Sequence, residues 1–227
     1  MGNYDYFWLM HSLTEENYLK ALFALSAATG DVNVNDLSRH LEIKMPTVTS
    51  MMKKFAEKKL VHYESYKPIK LTEKGKKEAG SIIRKHRLTE MFLVQVMGFG
   101  WEEVHEIAEQ VEHIQAPELF EKMDEMLGYP KIDPHGSPIP DKSGKMEWHS
   151  YTKLSDCQPG DSIRLKAVLD SSSSFLKYLN SRDLKLGLKV QVKSIEPFDH
   201  SMLVSYGSRR TETLSHKVSE MLLGEKV

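Results

Sequence analysis

The spacing of apolar positions in the first third of the chain predicts three helices followed by two short strands. Apolar residues recur every three or four positions over residues 14–29 and 34–42, and again in a segment that opens with Pro46. Proline suits the first turn of a helix, where its missing amide has no partner. Residues 60–64 and 69–71 flank a turn and predict a hairpin. This order of elements is typical of a winged helix-turn-helix.

The middle of the chain predicts a second helical block. Helical spacing of apolar residues continues over residues 73–97, 101–114 and 117–127. These helices carry more apolar surface than a block of this size can bury alone, so we expect part of it to form a dimer interface. Residues 128–150 contain four prolines and no periodicity, which predicts an extended linker.

From Tyr151 onward the pattern changes to short runs in which apolar and polar residues alternate. Glycines separate these runs, and a short helix is predicted over residues 175–181. Such strands and turns are typical of a small β-barrel. The predicted strands are residues 162–165, 189–192, 202–206 and 212–214.

Charge is unevenly distributed, although the net charge of the 227-residue chain is only −1. Lysines dominate residues 53–77 and acids dominate residues 102–125, so one segment suits a polyanion and the other a cation. The lone Cys157 cannot form an intrachain disulfide and is interpreted as structural. No apolar run approaches the ~20 residues of a membrane span, and residues 1–10 do not resemble a signal peptide. We therefore expect a cytoplasmic protein with no membrane partner.

The third predicted helix carries the side chains expected to contact DNA. Its small hydroxyl residues can approach phosphates and base edges, and its lysines suit phosphates. A lysine-rich helix can also be merely a solvated face, but the full order of elements favours DNA binding. The residues assigned to this interface are Pro46, Thr47, Thr49, Ser50, Lys53 and Lys54.

Histidines and glutamates at helical spacing predict a metal site. Four of them share about a quarter-turn of the helix predicted over residues 101–114, and two more are spaced four apart on the preceding helix. Nitrogen and oxygen ligands without a thiolate suit Mn²⁺, Fe²⁺ or Zn²⁺. The alternative to a metal site is a Glu-rich helix face that is simply exposed to solvent. The six residues are His86, Glu90, His105, Glu109, Glu112 and His113.

Five segments of the chain occur in an order that is specific to one family. They are residues 14–19, 46–49, 84–90, 104–113 and 133–140. Together they resemble the diphtheria toxin repressor family of iron- and manganese-dependent regulators, over nearly the whole chain. The C-terminal part resembles the SH3-like, FeoA-type barrel of the longer members. The resemblance implies a metal-activated, dimeric repressor of metal-uptake genes.

The resemblance also implies how the ligands divide between two sites. A carboxylate at position 109, where iron-type members tend to carry cysteine, favours manganese. Asn17 falls where the family has Met or Asp, and its amide oxygen would be a weak ligand. The ancillary site would comprise His86, Glu90 and His105, and the primary site Glu109, Glu112 and His113.

Other positions bear on the same resemblance. Lys20 stands where some manganese-type members have Glu, which argues against their particular two-metal geometry. Asp170 is the nearest candidate for a ligand from the barrel. The remaining histidines are assigned to the surface or to packing. They are His11, His40, His62, His135, His149, His200 and His216.

The sequence thus predicts a mainly α protein with small β parts. We expect a winged helix-turn-helix over residues 10–72, a helical dimerisation and metal-binding domain with its Pro-rich linker over 73–145, and an SH3-like barrel over 151–227. The expected protein is a homodimeric, non-enzymatic repressor that binds double-stranded operator DNA with Mn²⁺ or Fe²⁺, Zn²⁺ substituting in vitro. A metal-independent winged-helix regulator and a metalloenzyme stay open as alternatives.

Overall fold

The computed structural model describes residues 12–207 and 209–227, so His11 and the boundary expected at residue 10 lie outside the described residues. The chain divides into two compact units. The first contains the described part of Met1–His86 together with Gln110–Ala116 and Pro140–Met146. The second contains Arg87–Glu109, Pro117–Ile139 and Glu147–Val227.

The first unit contains the predicted winged helix-turn-helix. Its helices are α1 (Leu13–Thr29), α2 (Val34–Leu41) and α3 (Met45–Glu57). Strands β1 (Val61–His62) and β2 (Lys70–Leu71) pair antiparallel and form the wing. The observed order of elements confirms the predicted one.

Side-chain caps define where the first two helices begin. Ser12 caps α1 and forms a capping box with Glu15, so the helix starts before Thr14, the cap suggested by its sequence. Asn33 and Asp36 form the equivalent box at α2. Behind these caps, the three helices and the wing share one apolar core. Its largest fully buried side chains include Tyr18, Leu22, Leu37, Met52 and Phe55.

Three further helices make up the helical block. They are α4 (Glu73–Gln95), which contributes residues to both units, α5 (His105–Val111) and α6 (Pro117–Met126). The helix expected over residues 101–114 is therefore shorter at both ends. The amide of Glu103 bonds the carbonyl of Gly100 in a turn before α5, and the amide of Ile114 bonds the carbonyl of Val111 after it. Glu112 and His113 consequently lie in the turn that follows α5.

The segment expected to be an extended linker contains an ordered turn. One carboxylate oxygen of Asp133 accepts hydrogen bonds from the backbone amides of His135 and Ser137, both at 2.9 Å. Ile132 and Pro138 form an isolated antiparallel bridge across this turn. Asp133 and His135 are both buried, so this part of the segment packs as a folded element.

The rest of the second unit is a six-stranded antiparallel sheet in the order β3-β8-β4-β5-β6-β7. Two of these strands, β3 and β8, and the helix α8 have no counterpart among the predicted elements. The elements are β3 (Thr152–Lys153), β4 (Ser162–Val168), α7 (Ser173–Asn180), β5 (Lys189–Ile195), β6 (Met202–Tyr206), β7 (Arg209–Leu214), α8 (His216–Met221) and β8 (Leu222–Lys226).

The sheet encloses its own apolar core. Cys157 is fully buried within it, and this burial raises the pKa of the Cys157 thiol, as expected for a structural cysteine. Counting α1 to α8, eight α-helices occur in residues 12–207 and 209–227, and none of them is long and apolar enough to cross a membrane. The predicted mainly α fold with small β parts is confirmed.

Candidate metal centre and nucleic-acid interface

Glu112 is the centre of a charged group in the first unit. Its side chain is fully buried, and its two oxygens lie 3.0 and 2.9 Å from the Nζ atom of Lys20 on α1. One of the same oxygens lies 2.5 Å from Nδ1 of His86 on α4. Burial raises the pKa of Glu112, but the hydrogen bond with His86 and the charge of Lys20 outweigh it, so the net pKa lies below its usual value. Glu112 is therefore an anion that already attracts cations.

His113 contacts α1 through a second buried carboxylate. Its Nδ1 lies 2.5 Å from one oxygen of Glu16, and Nε2 of Gln115 donates to the other oxygen at 3.0 Å. Glu16 is only 4% exposed. The sequence interpretation missed this residue, although it shares a helix face with Leu19 and Lys20, three and four positions further on.

The side-chain oxygen of Asn17 is also suited to contact a bound cation. Its Oδ1 atom is buried, and no described residue donates a hydrogen bond to it. Buried acceptors without a donor are rare in folded proteins, and a bound cation is one way to satisfy them. The predicted ligands His86, Glu112 and His113 are thus brought together in the first unit, and Asn17 belongs to the same unit.

The other predicted ligands lie together in the second unit. Nδ1 of His105, the first residue of α5, is 3.4 Å from Glu90 on α4. Its Nε2 is 3.7 Å from Glu109, one turn further along α5. Glu90 is buried, whereas His105 is half-exposed. This part of the predicted ligand set therefore has one side open to solvent.

Glu90 also belongs to a buried group that the sequence interpretation missed. Ligand atoms of Glu90, Asp133 and His135 lie within 4.8 Å of one another. Nε2 of His135 donates to the backbone carbonyl of Trp101 at 2.8 Å, so its Nδ1 faces Glu90, 3.6 Å away. His135, assigned from sequence to the surface or to packing, is in fact 3% exposed. The sequence signal that could have identified His135 is its position in residues 133–140, one of the five segments that resemble the family.

Burial and neighbouring charge act in opposite directions on the pKa of His135. Burial lowers the pKa of His135, but the hydrogen bond and charge of Glu90 outweigh this, so the net pKa is raised. With Nε2 held by a carbonyl, the titrating position is Nδ1. A histidine whose second ring nitrogen is fixed by a hydrogen bond is the usual arrangement for a metal ligand.

Asp170, the candidate ligand from the barrel, has a different role in the structure. One of its oxygens accepts a hydrogen bond from the backbone amide of Ser172, which caps α7, at 2.8 Å. Within the described residues, Asp170 is in none of the groups that bring three candidate metal ligands together.

Helix α3 presents most of its predicted DNA-binding side chains to solvent. Thr49 is half-buried, and Val48, Met52 and Phe55 anchor the opposite face in the core. The exposed members are Pro46, Thr47, Ser50, Lys53 and Lys54. The hydroxyl of Ser50 donates to the carbonyl of Pro46 at 3.0 Å. The helix therefore projects hydroxyl and lysine side chains from a fixed base.

The wing adds an aromatic residue that the sequence interpretation did not single out. Tyr66, at the turn between β1 and β2, is fully exposed and has a positive φ of 67°, which non-glycine residues rarely adopt. Lys67 and Lys70 are exposed beside it. Together they extend the basic surface beyond α3.

A buried ion pair connects α1 to α3. Glu15 is 2% exposed, and its carboxylate lies 2.8 Å from Lys58 and 2.9 Å from Lys54. Burial raises the pKa of Glu15, but the hydrogen bonds of both lysines outweigh this and lower it to about 2. Two neighbouring glutamates of α1 therefore have different partners: Glu15 contacts the base of α3, and Glu16 contacts His113.

Three known domain descriptions match successive parts of the chain. Residues 10–69 match the iron-dependent repressor N-terminal DNA-binding domain, and residues 72–141 match the iron-dependent repressor metal-binding and dimerisation domain. Residues 152–226 match the FeoA domain. The chain belongs to the iron-dependent repressor family, the diphtheria toxin repressor family that its motifs resemble.

Individual relatives agree with this family. The iron-dependent repressor IdeR of Mycobacterium tuberculosis is 32% identical over 127 residues, which are 56% of this chain and 55% of that protein. The chain thus matches about half the length of this repressor. The diphtheria toxin repressor of Corynebacterium efficiens is 27% identical over 190 residues, 79% of this chain and 82% of that protein.

Solved structures extend the similarity over the whole fold. A manganese-dependent transcriptional repressor in complex with manganese is 28% identical, with a TM-score of 0.84 over 94% of this chain and 100% of that chain. The repressor ScaR with bound Zn²⁺ is 29% identical, with a TM-score of 0.77 over 94% and 99%.

The Glu15 ion pair predicts a measurable contribution to stability. Glu15→Gln keeps the size of the side chain but removes the charge that Lys54 and Lys58 contact. We expect it to lower the free energy of unfolding by about 1–3 kcal/mol in urea denaturation at pH 7. Glu73→Gln is the matched control, because Glu73 contacts Lys76 at 2.7 Å but is 91% exposed. That variant should change the free energy by less than about 0.5 kcal/mol. Equal effects of the two substitutions would contradict the role of the buried pair.

Proposed function

We propose that this protein is a metal-dependent transcriptional repressor that binds operator DNA as a homodimer and controls genes of metal-ion uptake. One observation carries the proposal. Helix α1 contacts a buried histidine–carboxylate group through Glu16 and Lys20, and contacts the recognition helix through Glu15. A ligand that binds the first group can therefore bias the position of the second. The proposed protein is a cytoplasmic regulator and not an enzyme.

The ligands are proposed in two sets. Glu109, Glu112 and His113 form the primary set, with Asn17 as an additional neutral donor. His86, Glu90 and His105 form the second set. To the second set we add Asp133 and His135, which lie beside Glu90.

The donor chemistry supports Mn²⁺ or Fe²⁺ as the activating ion, and the carboxylate of Glu109 favours Mn²⁺; Zn²⁺ is expected to substitute in vitro. When bound, the ion supplies positive charge to a group in which Glu16 and Glu112 are both buried. The other contributions come from the chain. Asp133 is oriented by two backbone amides, and His135 by the carbonyl of Trp101.

We propose that α1 couples the ligand group to DNA binding by a shift between two populations. His113 and Glu112 hold α1 from one side through Glu16 and Lys20. Glu15 holds Lys54 on α3, and Lys58 directly after α3, from the other. When the ligand group is ordered, α1 is fixed and the recognition helix keeps one orientation.

The proposed homodimer would place two such helices in successive major grooves of the operator. Large apolar side chains at the end of α6 and in the segments that follow α4 and α6 support a dimer interface, because they are exposed in the single chain. Among them are Val96, Met97, Phe99, Met126 and Tyr129. We also propose that the functional modules follow the divisions at residues 10–72, 73–145 and 151–227.

The first test is metal-dependent DNA binding by the wild type and by Glu112→Gln. Fluorescence anisotropy with DNA from upstream of the protein's own gene, run anaerobically at fixed salt, should show tight binding with Mn²⁺ or Fe²⁺ and none with chelator. Glu112→Gln should remain folded and dimeric but need at least about tenfold more metal. Glu125→Gln, at an exposed carboxylate that contacts Lys122, is the control and should behave as the wild type.

Two results would contradict the proposal. Equal DNA binding with metal and with chelator would indicate a metal-independent winged-helix regulator. Metal-dependent turnover of a substrate without DNA affinity would indicate a metalloenzyme.

The exposed recognition lysine predicts a salt-dependent loss of affinity. Lys53→Ala should weaken operator binding about three- to tenfold and reduce the slope of log affinity against log salt by about 1, because one phosphate contact is lost. Lys217→Ala removes an exposed lysine of α8 and should change neither quantity. An unchanged salt slope in Lys53→Ala would exclude this lysine from the interface.

The second ligand set predicts a change in stoichiometry. His135→Ala should lower the number of Mn²⁺ ions bound per subunit by one, as measured by isothermal titration calorimetry, because it removes a buried nitrogen donor beside Glu90. His149→Ala, at an exposed histidine of the same unit, should leave the number unchanged. The same stoichiometry in His135→Ala and wild type would remove His135 from the ligand set.

A further inference from the structure

Lys20 places an ammonium group on a buried, proposed metal ligand. Its Nζ atom lies 3.0 and 2.9 Å from the two oxygens of Glu112, which is fully buried. We propose that Lys20 is an internal cation that competes with the metal for Glu112 and so sets the metal concentration at which the protein responds. This inference rests on the proposed function, because it concerns the same ligand group.

The position of Lys20 follows from its spacing along α1. Asn17 and Glu16 precede it by three and four residues, so all three side chains lie on one face of the helix. That face is the one that contacts Glu112 and His113. Lys20 is therefore the cationic member of a row whose other members are a carboxylate and an amide oxygen to which no described residue donates a hydrogen bond.

The ammonium has a clear electrostatic reason to be there. A buried carboxylate without a positive partner is strongly unfavourable. This group contains two buried carboxylates, those of Glu16 and Glu112, and each therefore needs such a partner. His86 and His113 contact these carboxylates but are cationic only when protonated. Lys85 on α4 also interacts electrostatically with Glu16 and Glu112. Lys20 places its ammonium group in direct contact with both oxygens of Glu112.

The same contact opposes metal binding. A divalent ion bound by Glu112 depends on the same carboxylate charge that the ammonium already compensates. If Lys20 stays, two positive charges repel each other at short range; if it leaves, its ion pair is lost. Either route lowers metal affinity. The Lys20 side chain is 23% exposed, so its flexible stem can carry the ammonium towards water without unfolding α1.

Isothermal titration of the full-length chain with Mn²⁺ tests this competition. Lys20→Met keeps most of the apolar stem and removes the charge, so we expect Mn²⁺ to bind the Glu112 site about tenfold more tightly. Lys20→Arg keeps the charge, and its planar guanidinium can also contact both oxygens of Glu112, so it should bind Mn²⁺ no more tightly than the wild type. Lys226→Met is the matched control, because it removes a lysine that contacts a carboxylate, that of Asp161, at 2.7 Å in the barrel.

Thermal melting separates competition from a purely structural role. In chelator, Lys20→Met should melt below the wild type, because Glu112 has lost its lysine partner. With saturating Mn²⁺ it should melt at or above the wild type. A lysine that served only to stabilise the fold would lower both melting temperatures equally, and that result would overturn the proposal. Should Lys20→Met fail to fold, Lys20→Gln, with the same expectations, carries the test.

The titrations also distinguish this inference from the proposed function. If Mn²⁺ binds the wild type, is lost in Glu112→Gln, and binds folded Lys20→Met no more tightly than the wild type, only the role of Lys20 is overturned. If the wild type itself binds no Mn²⁺, the proposed function fails and the inference fails with it.

Discussion

The burial of two adjacent glutamates on α1 is the constraint on which the rest of the N-terminal unit depends. Glu15 and Glu16 are 2% and 4% exposed, so each needs a partner that can compensate its charge. Side chains at neighbouring positions on a helix point about 100° apart, so the two carboxylates contact different parts of the protein. Glu15 pairs with Lys54 on α3 and with Lys58 directly after α3, and Glu16 pairs with His113. A rigid helix that is fixed on both sides in this way can pass a change from one neighbour to the other.

The regular parts of the N-terminal unit could be predicted from sequence because local signals and tertiary packing agree there. Capping residues precede α1 and α2, and a proline opens α3 at the position where it is best tolerated. The stripe of Val48, Met52 and Phe55 is buried as its spacing indicates. Burial of one face then leaves the predicted DNA-binding residues on the other. In such elements, the amino-acid pattern is enough to orient most side chains.

Prediction was less successful where position depends on contacts between distant segments. Helical periodicity placed Glu112 and His113 on a helix, but turns on both sides shorten α5 to seven residues. Prolines suggested an extended linker, whereas the side chain of Asp133 folds it by accepting two backbone amides. The roles of Glu16 and His135 follow from their burial by residues that are distant in the sequence. A local sequence pattern does not indicate such burial. The donor types were predictable, but their partners and depth were not.

The strand order of the barrel has a consequence for how the domain is made. The last strand, β8, lies between β3 and β4, so it pairs with residues that precede it by 54 (Val168 with Leu222) to 72 (Thr152 with Gly224) positions. The α8 helix leads directly into it, and Gly224 lets its backbone approach the carbonyl of Arg164, where a Cβ would lie 2.2 Å away. Pairings of such long range form slowly, because a large loop must close first. During synthesis, the pairing of β3 and β4 with β8 must therefore wait for residues 222–226 to leave the ribosome, whereas β4 can already pair with β5.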